Sequence, residues 1–100
     1  MPSRIKLSKD KIENFCHRWK IKELSLFGSV LRDDFGPGSD VDILVSFFDD
    51  ARWSLFDWVN MIEELKSITG REVDLVERDS LRNPFRRRAI LSSKEVIYAA

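Results

Sequence analysis

Asp40 and Asp42 stand on either side of Val41, and on an extended strand two residues at that spacing project to the same side. Carboxylates held together disfavour each other's ionisation, so a cation between them is the economical arrangement. Magnesium suits such a pair: it is hard and oxygen-seeking, keeps much of its water, and takes one or two carboxylates together with substrate phosphate oxygens. A bound magnesium pair both positions a triphosphate and neutralises its charge, which is most of what phosphoryl or nucleotidyl transfer requires. Asp74 is the only polar residue in Val73-Asp74-Leu75-Val76, and a charge buried in such a strand would need a partner. If its strand lies beside that of the pair, Asp74 reaches the same metal and can accept a proton from an attacking hydroxyl.

Gly28 and Ser29 supply the complementary half. They follow a short apolar segment and open a turn or short helix over Val30 to Asp33, where free backbone N–H groups can face an anion. Glycine permits close approach and serine adds a hydroxyl. Arg32 lies within one turn, and a guanidinium binds planar oxyanions through two hydrogen bonds. An Asp-x-Asp by itself is commonly a solvated strand edge. Here it follows strand, Gly-Ser and turn, with a further lone aspartate inside a later strand, and that conjunction favours metal and triphosphate binding.

The elements that must position these groups follow from periodicity. Ile12, Phe15, Cys16 and Trp19 mark one face of a helix over Lys9 to Trp19, with Ser8 or Asp10 as its cap. Leu24 and Leu26 alternate with polar residues in a strand from Ile21 to Phe27, and Val41, Ile43, Val45 and Phe47 do the same after the breakers Gly36-Pro37-Gly38-Ser39. Leu55, Trp58, Val59, Ile62, Leu65 and Ile68 give the longest helix, over Ser54 to Thr69, closed by Gly70. Glu72 to Val76 reads as a third strand, Asn83-Pro84 as cap and first turn of a short helix through Leu91, and Glu95 to Tyr98 as a last strand. This alternation predicts an α/β (α+β) fold: one domain over 1–100, with a small mixed sheet of three or four strands backed by helices.

Composition sets limits on partners. Hydrophobic residues make up 43% and charged residues 34%, an ordinary globular balance. Seventeen basic residues offset seventeen acidic ones, so no general nucleic-acid binding is expected and any such contact must be local. With a single cysteine, no leader-like start and no apolar run of the ~20 residues a membrane helix needs, the expected setting is the cytoplasm, with no membrane partner.

Other residues read as structure. Cys16 falls on the apolar stripe as a small core residue, and His17 lies on the polar side of the same helix. Arg82, Arg86, Arg87 and Arg88 fit a solvated helix face. Phe47, Phe48, Trp53, Phe56 and Trp58 are more aromatics than so small a core easily holds, which points to a partner surface.

Gly28-Ser29-Val30-Leu31-Arg32, ten residues between Ser29 and Asp40, and Ser39-Asp40-Val41-Asp42-Ile43-Leu44-Val45 closely resemble the signature of the DNA polymerase beta-like nucleotidyltransferase superfamily. Within it the spacing is similar to that of the minimal nucleotidyltransferases, which include MntA-type antitoxins paired with HEPN-domain toxins. The likeness extends over nearly the whole chain. It implies a triphosphate at Gly28 and Ser29, two Mg2+ ions on Asp40, Asp42 and Asp74, and ATP as substrate. It also implies transfer of AMP to a tyrosine hydroxyl of a HEPN toxin encoded nearby, with the acceptor surface supplied by that partner. An antitoxin acting by binding alone is the alternative.

Overall fold

The computed structural model describes residues 7–28 and 40–100. Ser29, Arg32 and the 36–39 breakers lie outside the described residues. The first helix, α1 (Lys9–Arg18), is capped by Ser8, whose hydroxyl accepts from the Lys11 N–H at 3.4 Å, and Asp10 occupies its first turn. Strand β1 (Ile21–Phe27) follows, then β2 (Val41–Phe47) and the longest helix, α2 (Leu55–Thr69). Ser54 and Asp57 begin α2 with a reciprocal capping box: Asp57 N–H donates to the Ser54 hydroxyl at 3.1 Å, and Ser54 N–H to the Asp57 carboxylate at 2.9 Å. Gly70 ends it at φ 70°, a left-handed conformation that costs glycine little.

Strand β3 (Val73–Glu77) leads through a 3-10 turn, Arg78–Ser80, into α3 (Pro84–Ser93), and β4 (Glu95–Ala99) completes the order. Asn83 caps α3 by accepting from the N–H groups of Phe85 and Arg86 at 3.0 and 3.1 Å, and Pro84 takes the first helical position, where no N–H is needed. The helix reaches two residues past the expected Leu91.

The four strands form one mixed sheet in the order β3-β2-β1-β4. The parallel pair is β2 with β3, a connection that two-residue turns cannot make and that α2 supplies; β1 pairs antiparallel with β2 and with β4. Partnered residues share a face, so the register sorts the side chains into two sets. Leu24, Leu26, Val41, Ile43, Val45 and Leu75 line one face and are buried against α1 and α2 through Phe15, Cys16, Met61 and Leu65. Phe27 and Leu44 line the other, covered by Leu81 and Ile90 of the segment that carries α3. Glu64 of α2 joins the helices of the first layer, accepting from Trp19 Nε1 at 2.9 Å and pairing with Arg18.

Cys16 is fully buried, and burial pushes its thiol up to about 12, as a core residue requires. His17 is exposed and meets Tyr98 edge-on with ring centroids 6.0 Å apart. No helix among the described residues is long and apolar enough to cross a membrane.

Candidate functional site

The side chains with chemical potential gather where β1 ends and β2 and β3 begin. Phe27 is the register partner of Asp42, so the residue after it, Gly28, lies against that carboxylate. Gly28 has φ +72°, and a Cβ built there would fall 3.2 Å from Asp42 Cγ and closer still to Oδ2. Glycine is thus required twice, by backbone conformation and by the room its missing side chain leaves. That room is taken by the half-buried Asp42 carboxylate, which the missing side chain lets lie directly against the backbone at the end of β1.

Asp42 in turn is the register partner of Asp74. Both point to the face opposite α1 and α2, with backbones one strand spacing apart, about 4.8 Å. The Val41 N–H donates to the Glu72 carbonyl at 2.9 Å, which fastens the start of β2 to the approach of β3. Asp40 lies just outside β2, exposed, two residues from Asp42 on the same side. The expected neighbour relation between the second and third strands is therefore present.

One expectation is corrected: Asp74 is exposed rather than buried. β3 is an edge strand, and α3 with its preceding turn covers this face through Phe27, Leu44, Leu81 and Ile90 without covering Asp74. Its carboxylate needs no buried partner and is open to an incoming group. Among the described residues, no three Asp, Glu, His or Cys side chains are drawn together about one point as a metal would hold them; what the fold provides is Asp42 and Asp74 side by side, with Asp40 beyond. Ser29 and Arg32, expected at the triphosphate, lie outside the described residues.

Sequence reasoning passed over Glu23 and Lys94. Lys94, at the C-cap of α3, forms an ion pair with Glu23 of β1, with side chains 16% and 27% exposed. This pins the end of α3 to β1 on the face that carries Asp42. A charge pair between residues seventy-one positions apart leaves no local signal in the sequence.

The same architecture recurs in known proteins. The model of the nucleotidyltransferase domain family matches residues 9–97. The protein adenylyltransferase MntA of Thermococcus cleftensis is 35% identical over 81 residues, which is 81% of this chain and 77% of that protein. A crystal structure of a toxin-antitoxin with AMP-PNP superposes with a TM-score of 0.72 at 22% identity, covering 94% of this chain and 75% of the other. The MNT antitoxin complex with a tri-AMPylated HEPN toxin of Shewanella oneidensis gives 0.64 at 21% identity, covering 92% and 70%. With that family matched over nearly the whole length and a relative 35% identical over most of both proteins, the chain belongs to the nucleotidyltransferase family and, within it, to the minimal, MntA-type members.

Proposed function

We propose that this chain is the antitoxin nucleotidyltransferase of a HEPN toxin pair and transfers AMP from ATP to a tyrosine hydroxyl of the toxin. The observation that carries the reading is the placement of Asp42 between Gly28 and Asp74, at the end of the sheet where β2 and β3 begin. An all-oxygen donor set of this kind fits magnesium, and glycine at position 28 lets the Asp42 carboxylate stand at the backbone where the triphosphate would be held. Asp40, Asp42 and Asp74 would hold two Mg2+ ions, whose contribution when bound is to neutralise the triphosphate and make the α-phosphorus attackable.

The chain's own groups do the rest. Gly28 and Ser29 orient the triphosphate, with Arg32 as a further phosphate partner. The toxin hydroxyl attacks the α-phosphorus, the bond from that phosphorus to the bridging oxygen breaks, and pyrophosphate leaves. The hydroxyl proton passes to the Asp74 carboxylate, whose exposure lets it leave to solvent. A buried lone cysteine accords with a reducing cytoplasm. Incubation with labelled ATP, Mg2+ and the neighbouring gene product should label that product, and Asp42→Asn should abolish the label. Equal labelling by the variant would sink the assignment.

A second reading, neutralisation by binding alone, is favoured by one feature. Phe48, Leu55, Phe56 and Val59 cluster about the start of α2 at 42%, 77%, 83% and 50% exposure. Beside them is a cavity of about 480 Å³ lined in part by Phe47, Trp53 and Trp58, and Trp53 Nε1 is buried there without an acceptor among the described residues. Exposed apolar groups in this number mark a protein-binding surface. Co-expression of Asp40→Asn/Asp42→Asn with the toxin separates the readings: rescue of growth means that binding suffices, and toxicity from a folded variant removes this alternative.

A further inference from the structure

The overall charge of zero conceals a strong local imbalance. Residues 78–94 hold six of the seventeen basic residues and one of the seventeen acidic ones. Arg78, Arg82, Arg86, Arg87 and Arg88 all lie in or just before the first half of α3, whose first turn contains no acid. Cations at a helix N-terminus oppose the macrodipole, and adjacent like charges repel, so the placement works against the stability of the helix. Charges kept against local preference mark a functional surface.

Three details describe what would relieve that imbalance. Among the described residues, none of the five arginines is paired with a carboxylate, and Arg78 Nε is buried with no acceptor. Arg87 donates to the Arg78 carbonyl at 3.1 Å, which holds the two guanidinium-bearing segments together. At the centre of the outward face of α3 stands Phe85, 83% exposed, with Arg86 and Arg88 on either side of it around the helix. Alongside runs a hollow of about 490 Å³ lined by Pro84, Arg87, Arg88 and Leu91, which offers an apolar floor between cationic walls.

We infer that this face of α3 binds single-stranded nucleic acid. Guanidinium groups spaced along a helix suit successive phosphates, and an exposed aromatic ring stacks on a base of any identity. A single inorganic anion would use the arginines but not Phe85, and an acidic protein surface would not require the ring to stand clear of its own core. The face is distinct from the Asp42 pair: α3 starts beyond the far end of β3 from Asp74, and it is seated on β1 by its inward side and C-terminal end, through Ile90 with Phe27 and Lys94 with Glu23, whereas Phe85, Arg86 and Arg88 are exposed.

Fluorescence anisotropy of a labelled RNA oligouridylate of about twelve nucleotides tests this. Affinity should fall at least about tenfold between ~50 and ~200 mM KCl. Arg86→Glu/Arg88→Glu should lose at least about tenfold, and Phe85→Ala about tenfold toward RNA while retaining binding of inorganic polyphosphate. Asp42→Asn should bind RNA as the parent does. Phe85, Arg86 and Arg88 are exposed, and circular dichroism checks that each variant, Asp42→Asn included, is folded. The inference is overturned by absence of binding at ~50 mM salt, by unchanged binding in the folded double variant, or by equal weakening of RNA and polyphosphate in Phe85→Ala. Loss of RNA binding in Asp42→Asn would equally overturn it, by moving the contact to the triphosphate site.

Discussion

The Cα of Gly28 is packed against the carboxylate of Asp42 so closely that a methyl group on it would overlap Oδ2. The contact holds the end of β1 against the strand that carries Asp42.

Gly28→Ala should therefore cost more than backbone strain. Gly70 has nearly the same φ, +70°, but a Cβ there meets nothing within 4 Å, so Gly70→Ala measures strain by itself, about 1 kcal/mol. Gly28→Ala should be destabilised beyond that and should lose adenylyl transfer at least about a hundredfold, whereas Gly70→Ala keeps it. Urea denaturation of both variants, with label transfer from ATP, checks this; matching results from the two would show that the Asp42 contact is immaterial.

Asp74 separates chemistry from stability. Because it is exposed on an edge strand, Asp74→Asn should shift unfolding by no more than about 0.5 kcal/mol. Transfer of AMP should nevertheless fall by at least about a hundredfold if the carboxylate takes the proton or holds metal. A variant with near-normal turnover would remove Asp74 from the site.

Cys16 gives a pH signature. Burial raises its thiol from the ordinary 9.0 to about 12 in the folded chain, so the folded state holds the proton more tightly than the unfolded one. The stability linked to that proton is complete below about pH 9 and declines as pH rises toward about 12, by at most about 1.4 kcal/mol per pH unit. Chemical denaturation across this window should show the decline, and Cys16→Ala should flatten it. Native Cys16 should also resist thiol reagents at neutral pH, since the thiolate is the reactive form.

Glu64 accepts the Trp19 indole hydrogen and meets Arg18, so Glu64→Ala leaves a half-buried donor without its acceptor. A loss of about 1 to 2 kcal/mol is expected, with the Trp19 emission shifting toward the red as α1 loosens from α2. An unchanged midpoint and spectrum would show that the helices are joined by their apolar contacts alone.

Much of the frame is local and therefore legible in the sequence. The caps at Ser8 and Asn83, the stop at Gly70 and the alternation in β1 and β2 depend on hydrogen bonds and side-chain periods within a few residues. The Asp-x-Asp spacing by itself put Asp40 and Asp42 on one side. Element ends were less legible: β3 is displaced by one residue from the expected strand, and α3 runs on to Ser93, because tertiary pairing and packing decide where a strand or helix stops.

The sequence by itself thus determined the elements, the acidic pair and the Gly28-Ser29 spacing to it that points to nucleotide chemistry. Only the tertiary structure decided that β3 lies parallel beside β2, which makes Asp74 the neighbour of Asp42. It also left Asp74 open on an edge strand, and it carried α3 with its arginines onto the same side of the sheet. The physical reason is that period and capping act over one or two turns of chain, while strand pairing, close approach at Gly28 and exposure at Asp74 depend on segments that meet only when the two faces of the sheet bury their apolar residues.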